Sequence, residues 1–273
     1  MDASSLSQFE PIALKEMNSV SLLKRIDTKF LTTESKLLEI IPELISDYKV
    51  LEIEENRLMN YATLYFDTED LKSYTEHHNG RAKRHKIRMR KYIDSDLCFL
   101  EIKEKQNSGM TNKVRCSIDD FETDLSPKSK KFIENATKKD WELEPTLHNY
   151  FKRFTLVNTQ RSERVTIDTG LEYKAGSITK QFKNVVVIEV KQEKQNTRTP
   201  IYSILKSNRI RTVSFSKYCM GVANIFSGIK ANKFKELNLK INQLNKIMSE
   251  NLLNILIIIS GEINTAIEIE NRL

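Results

Sequence analysis

The stretch HKIRMRKY, His85 to Tyr92, sets Lys86, Arg88 and Arg90 two residues apart, with Ile87 and Met89 between them. Two-residue spacing is strand spacing, so the cations share one face and the apolar side chains the other. Cations aligned along a strand repel one another, and such a strand needs a compensating partner. The same alternation returns along the chain. KRIDTKF puts Arg25, Asp27 and Lys29 on one face, and FLEIKEK alternates Glu101, Lys103 and Lys105 with Leu100, Ile102 and Glu104. NKVR aligns Lys113 with Arg115, ERVTID aligns Arg164 with Thr166 and Asp168, and VVVIEVK alternates Glu189 and Lys191 with Ile188 and Val190.

Any one of these segments reads equally as a solvated strand face, but their recurrence is a constraint. VVVIEVK is nearly continuous apolar sequence interrupted by two charges, which indicates a strand enclosed on both sides. Enclosed charges must be paired or meet a ligand, or they cost several kcal/mol. Closing such strands into an eight-stranded barrel converges the cations on an interior wide enough for side chains or one small ligand. The expected fold class is α+β: an eight-stranded antiparallel β-barrel with flanking helices and a C-terminal helical tail.

Strands are expected at 57–68, 112–118, 147–157, 162–168 and 184–193, with HKIRMRKY, DSD and LCFLEIKEK forming a hairpin. SKLLEIIPELISDY (35–48) has helical spacing with a kink expected at Pro42, and helices are expected after Ser126-Pro127 and Thr199-Pro200. From about 229 the pattern becomes amphipathic at helical spacing through Leu237, Ile241, Leu244 and Met248. The chain is therefore divided into a domain, 1–228, and a helical tail, 229–273.

The net charge of +7 points to an anionic partner. Cys98, Cys116 and Cys219 form no CxxC or Cys/His cluster, so neither a disulfide framework nor a structural zinc site is expected. The first residues lack a signal-peptide pattern, and the apolar run Leu252 to Ile259 is far short of the roughly 20 residues that span a bilayer. A cytoplasmic location is expected. No GxxxxGK[ST] is present, so phosphate would be held by side chains, by Arg bidentately and by Lys as a point charge. Glu189 would offer a hard oxygen ligand to magnesium or manganese.

Nucleic acid is the competing partner, since seven of the eleven residues in RAKRHKIRMRK are basic and Tyr92 and His85 could stack bases. Carboxylates inside the binding strands argue against it, and no nucleic acid is expected. His77, His78, His85 and His148 show no catalytic spacing, and His77-His78 reads as a loop pair. Trp141 and the remaining tyrosines read as packing.

Taken in order, KRIDTKF, TLYFDT, HKIRMRKY, FLEIKEK, NKVR, YFKRFTLV, ERVTID, VVIEVK and FSKY run from about 24 to 221. This series resembles the VTC domain, the polyphosphate-polymerase-like branch of the CYTH-like triphosphate tunnel metalloenzymes. The superfamily's ExExK strand reads Arg25-Ile26-Asp27-Thr28-Lys29 here, with a base at the first acidic position. That departure is similar to the VTC branch, lowers the expectation of metal on this strand, and favours a polyphosphate-type ligand.

The resemblance implies that Lys29, Arg88, Arg90, Lys103, Lys113, Arg153, Arg164 and Lys217 line a triphosphate tunnel as phosphate ligands. It makes Glu189 the metal ligand, Lys191 its basic neighbour, and Mn2+ or Mg2+ the cofactor. Arg25, Lys86, Glu101 and Arg115, on the same faces, and Ser216 and Tyr218, which flank Lys217, are further substrate-binding candidates. The implied reaction moves the γ-phosphoryl group of ATP onto a growing polyphosphate chain by positioning and charge neutralisation. Hydrolysis in the same tunnel, or binding of polyphosphate or inositol polyphosphate without turnover, are the alternatives. Eukaryotic members of the family carry membrane spans beside this domain. The tail here could dock on a separate membrane partner, self-associate or pack on its own domain, and the oligomeric state is left open.

Overall fold

The computed structural model describes residues 3–17, 25–107 and 111–246. Lys24, Met248 and the run from Leu252 to Ile259 lie outside the described residues. Strand β1 (Pro11–Ala13) precedes β2 (Ile26–Thr32), α1 (Glu34–Ile40), β3 (Lys49–Glu52), β4 (Met59–Asp67) and α2 (Lys72–His78). Next come β5 (Arg84–Tyr92), β6 (Leu97–Lys105), β7 (Thr111–Ile118) and α3 (Pro127–Thr137). The chain continues through β8 (Glu144–Asn158), β9 (Glu163–Ala175), β10 (Ile178–Phe182) and β11 (Val186–Gln192). Helices α4 (Pro200–Ser207) and α5 (Lys217–Ile225) follow, and residues 235–246 are helical.

Eight antiparallel strands form one path in the order β2-β11-β9-β8-β4-β5-β6-β7. Strand β10 adds to β9, β3 adds to β8, and β1 pairs in parallel with β3. The path curls on itself: the charge of Lys29 on β2 acts on Lys86 of β5 and Lys103 of β6, near the other end of the sheet. Among the described residues β2 and β7 do not hydrogen-bond to each other, so the enclosure is an open-sided half-barrel.

The alternation in the sequence explains which face turns inward. Ile87 and Met89 pack outward with Leu64, Leu100 and Ile102 against Ile133 of α3. On the other flank Phe30, Ile188, Val190, Val165 and Phe154 are covered by α1 and α4. Burying each such side chain stabilises by roughly 1.5–3 kcal/mol, which offsets repulsion among the inward cations.

The inner face is itself divided. On β9, Thr169 is opposite Lys152 but Glu172 is opposite Tyr150, so β9 holds one extra residue at a bulge. Gly170 supplies it, with φ +61°, a backbone angle that side-chain-bearing residues rarely adopt. The shift in parity turns Leu171 and Tyr173 to the face that Arg164, Thr166 and Asp168 occupy further down. Leu31, Leu147, Phe182 and Val187 join them in an apolar floor, and α5 lies on it through Cys219, Met220 and Val222.

Several elements depart from expectation. Helix α1 stops at Ile40 and Pro42 sits in a 3-10 turn (Ile41–Leu44), because proline offers no N–H to continue the α-helical ladder. His77 and His78 end helix α2 rather than lying in a loop. Thr199 precedes α4 without a side-chain capping bond, because its hydroxyl donates to the buried Glu163. Strands β1, β3 and β10 and helix α5 carry no strong local pattern. In the 235–246 helix Ile241 is buried, with Leu237 and Leu244 against the same cluster, so this part of the amphipathic face packs on its own domain. No described helix is long and apolar enough to cross a membrane.

Helix α5 approaches the floor so closely that a Cβ on Gly221 would lie 2.6 Å from Tyr173 Cδ1 and closer still to Leu147 Cδ2. Gly221→Ala gains ~1 kcal/mol of helix propensity but overpacks a fully buried ring. The expected net loss is about 1–2 kcal/mol, read as a lower denaturation midpoint. An unchanged or raised midpoint would show that α5 does not seat here.

Candidate functional site

Three carboxylates organise the inner face. Glu189 on β11 is in register with Lys29 on β2 and Thr166 on β9. Lys29 Nζ lies 3.0 Å from one carboxylate oxygen, and Lys191 Nζ lies 2.5 Å from the other while donating to Thr166 Oγ1 at 2.7 Å. Glu101 on β6 sits between Arg88 and Arg115 in register. Its Oε2 accepts from Arg88 Nε at 2.8 Å with Arg88 Nη2 at 2.7 Å, and its Oε1 accepts from Lys113. Asp168 on β9 is in register with Arg153, accepts from its Nη2 at 2.8 Å and from its Nε, and also accepts from Lys217.

Burial pushes each of these carboxyls up, yet the adjacent cations more than reverse it. Arg88, Arg90 and Lys113 hold Glu101 below the usual carboxylate range. Arg153 and Lys217 do so for Asp168, and Lys191 and Lys29 for Glu189. All three therefore remain ionised and fix the geometry of the bases around them.

The cations exceed what the carboxylates neutralise. Lys86, Lys103 and Lys113 are register partners across β5, β6 and β7, three like charges side by side. Among the described residues neither Lys86 nor Lys103 has a carboxylate within ion-pair distance, and Lys86 donates instead to Ser216 Oγ at 2.8 Å. Arg90 Nε is buried without a hydrogen-bond partner, its closest carboxylate oxygen 3.9 Å away on Glu101. Burial, reinforced by neighbouring cations, pushes Lys86 down to about 8. Lys113, Lys191 and Lys217 also fall to about 8, burial outweighing their carboxylate partners.

The sequence-predicted residues thus converge, with exceptions. Arg25 is exposed at the rim and pairs with Asp27 at 2.8 Å. Arg115 lies over the Phe99 ring, 4.6 Å from its centroid. Ser216 caps α5 by accepting from Cys219 N. Tyr218 is a correction: it is fully buried and its hydroxyl donates to Asp67, which spends it on an internal bond away from the cations. Glu101 is another, an anchor for Arg88 and Lys113 whose negative charge would repel phosphate. His85 lies on the outer face, buried edge-on against Trp141, and offers no surface to a base.

Asp168 is the functional residue that sequence reasoning passed over, although ERVTID places it in step with Arg164. Tyr61 and Tyr65 are more than packing: Arg153 lies 5.2 Å over the Tyr61 ring, and Arg88 Nη1 is 3.5 Å from Tyr65 Oη. Their alternation in NYATLYF matched the inward face all along.

For a divalent ion, Glu189 offers one hard oxygen donor, and Asp27 is close enough for its charge to act on Lys29 and Lys191. No group of three or more His, Cys, Asp or Glu is assembled for a metal among the described residues. This donor set fits a magnesium- or manganese-like ion only if phosphate oxygens and water complete the shell, which is how such ions bind beside phosphates.

A curled antiparallel sheet with cations fixed inward around anchored carboxylates is a triphosphate tunnel fold. The chain belongs to the VTC domain family, whose model matches residues 24–226. Among solved structures it is similar to a proposed adenylyl cyclase of Hippeastrum described as having a dominant triphosphatase activity, at 14% identity and TM-score 0.45, covering 75% of this chain and 97% of that one. A proposed adenylate cyclase of Vibrio parahaemolyticus matches at 9% identity and TM-score 0.43, covering 72% and 97%. A conserved hypothetical protein of Pyrococcus furiosus matches at 15% and 0.39, covering 69% and 92%. No curated protein sequence matches. Family membership and fold support a tunnel enzyme with a polyphosphate- or triphosphate-related function.

The depressed lysines give the site a pH dependence. In the folded chain Lys86, Lys113, Lys191 and Lys217 lose protons near 8 rather than at 10.5. The unfolded chain binds more protons between these values, so the contribution of these lysines to stability rises with pH there. A bound polyanion favours the protonated lysines, so tripolyphosphate affinity should fall by roughly tenfold or more from about pH 7 to about pH 9.5. Calorimetric titration checks this, and a flat profile would contradict the placement of these lysines.

Proposed function

We propose that this chain is a divalent-metal-dependent polyphosphate polymerase that uses ATP. The observation that carries the reading is the row Lys86, Lys103 and Lys113, three adjacent lysines beside Lys29 and Glu189 of which only Lys113 has a carboxylate partner, Glu101. Such a row is costly in an empty site and favourable around a chain of phosphates. Arg88 and Arg153 are held in place by Glu101 and Asp168, so their remaining N–H groups are pre-oriented for phosphate oxygens. Arg90 brings a buried donor with no partner of its own.

The bond between the γ-phosphorus and its bridging oxygen breaks, and a terminal oxygen of the chain forms the new bond. ADP leaves with the electron pair. The acceptor is already an anion, so no side-chain nucleophile is needed, and the bases neutralise charge as it spreads over the transferred group. A divalent ion held by Glu189 would supply further neutralisation of phosphate oxygens.

Hydrolysis is the second reading, and α5 favours it. By covering the apolar end of the inner face it leaves a polymer only the open side and the far end as routes, a restriction that a short triphosphate does not meet.

Incubation of the purified chain with ATP and Mn2+ is expected to yield ADP and long-chain polyphosphate. Orthophosphate without polymer would establish the hydrolytic reading, and unchanged ATP would sink both. Glu189→Gln should lower turnover on the order of 100-fold or more while tripolyphosphate still binds. Turnover surviving in that variant would refute the metal assignment.

A further inference from the structure

An aromatic band crosses the inner face toward the turn between β5 and β6. Phe151, Tyr61 and Tyr92 are successive register partners on β8, β4 and β5, and Phe99 follows on β6. The rings touch in sequence: Tyr61 stacks on Phe151 at 5.1 Å, meets Tyr92 at 5.0 Å, and Tyr92 meets Phe99 edge-on at 6.0 Å. Helix α5 reaches β5 at Lys86 through Ser216. Tyr92 is six residues further along that strand, about 20 Å away at ~3.3 Å per residue. The Tyr92–Phe99 end of the band therefore lies at the end of the hairpin that α5 leaves uncovered. The neighbouring Ile93 and Leu97 are 48% and 52% exposed.

Guanidinium groups lie over Phe151, Tyr61 and Phe99 of the band, and Lys217 Nζ also lies over Phe151, but these cations are differently engaged. Arg153, over Tyr61 and Phe151, is committed to Asp168. Arg90, over Tyr61, is buried. Arg115 lies over Phe99 at 4.6 Å, is exposed, and forms no ion pair among the described residues. A guanidinium laid on a ring, with its outer plane in solvent and no carboxylate to orient it, is a platform for a second flat group. It also stands near the phosphate-directed bases, because Glu101, its register partner, holds Arg88.

We propose that Arg115 and Phe99, backed by Tyr92, form a stacking subsite for the aromatic base of a nucleoside triphosphate whose phosphates run inward to Arg88 and the lysine row. This rests on the reading that the half-barrel takes a nucleoside triphosphate. Stacking addresses the face of a base rather than its edge, so the subsite accepts purines without distinguishing adenine from guanine. It distinguishes a nucleotide from a bare triphosphate, which the charged lining cannot do.

Calorimetric titration of the full chain with ATP, GTP and inorganic tripolyphosphate tests this. Arg115→Lys keeps the charge and removes the plane, and Phe99→Leu keeps an apolar side chain and removes the ring. Each is expected to weaken ATP and GTP roughly tenfold while changing tripolyphosphate by less than about twofold. Equal weakening of all three ligands, or of none, overturns the proposal and makes Arg115 an ordinary phosphate-directed charge. Should Phe99→Leu fail to fold, Arg115→Lys on the exposed edge strand decides alone. Wild-type protein that binds neither ATP nor tripolyphosphate would refute the underlying reading instead, so the two failures are distinguishable.

Discussion

Glu101, Asp168 and Glu189 are the ionised groups on which the inner face depends. Each is bracketed by at least two cations, so each converts a mutual repulsion into a local attraction. Without them the alternating bases of β2, β5, β6 and β7 would have no reason to share an enclosure. With them the balance still falls short of neutrality, and Lys86 and Lys103, beside the paired Lys113, carry the surplus. A buried charge with a partner lost is strongly destabilising, whereas a surplus facing an open side is held by solvent until an anion arrives. The apolar outer clusters supply the stabilisation that lets the sheet tolerate this arrangement.

Helix α5 connects that electrostatic balance to the rest of the chain. Lys217 reaches Asp168, Ser216 accepts from Lys86, and Tyr218 donates to Asp67. Asp67 in turn accepts from the backbone amides of Ser73 and Tyr74 at the start of α2, where no side chain of the helix's own N-cap does so. The residues SKY thus divide their work. The first two touch the cationic face, and the third secures the helix to the scaffold.

Much of the fold was legible because a period of two survives unbroken through β5, β6, β7 and β11. The same parity shows His85 on the side of Ile87 and Met89, so its burial was open to inference. The site was less legible, for a physical reason. Which carboxylate neutralises which base depends on strand order, and β2-β11-β9-β8-β4 is not sequence order. Asp168 looked like one more polar residue in ERVTID because its partners come from β8 and from α5. Glu101 resembled a ligand-side residue for the converse reason, since nothing local shows that three bases already surround it. Strand β9 was expected to end near Asp168 because the bulge at Gly170 interrupts the alternation, although the strand continues to Ala175.

That bulge also explains why the enclosure is charged on one part and covered on another. Had β9 kept its parity, Leu171 and Tyr173 would have pointed outward and Glu172 inward, and α5 would have met a carboxylate instead of an apolar floor. Gly170 turns Tyr173 inward, and Gly221, distant in sequence, lacks the Cβ that would collide with that ring. The two glycines answer one steric requirement from opposite sides. Their joint effect is to seat α5 on the apolar end of the inner face, which leaves the cations reachable from the open side and from the end where Arg115 and Phe99 stand.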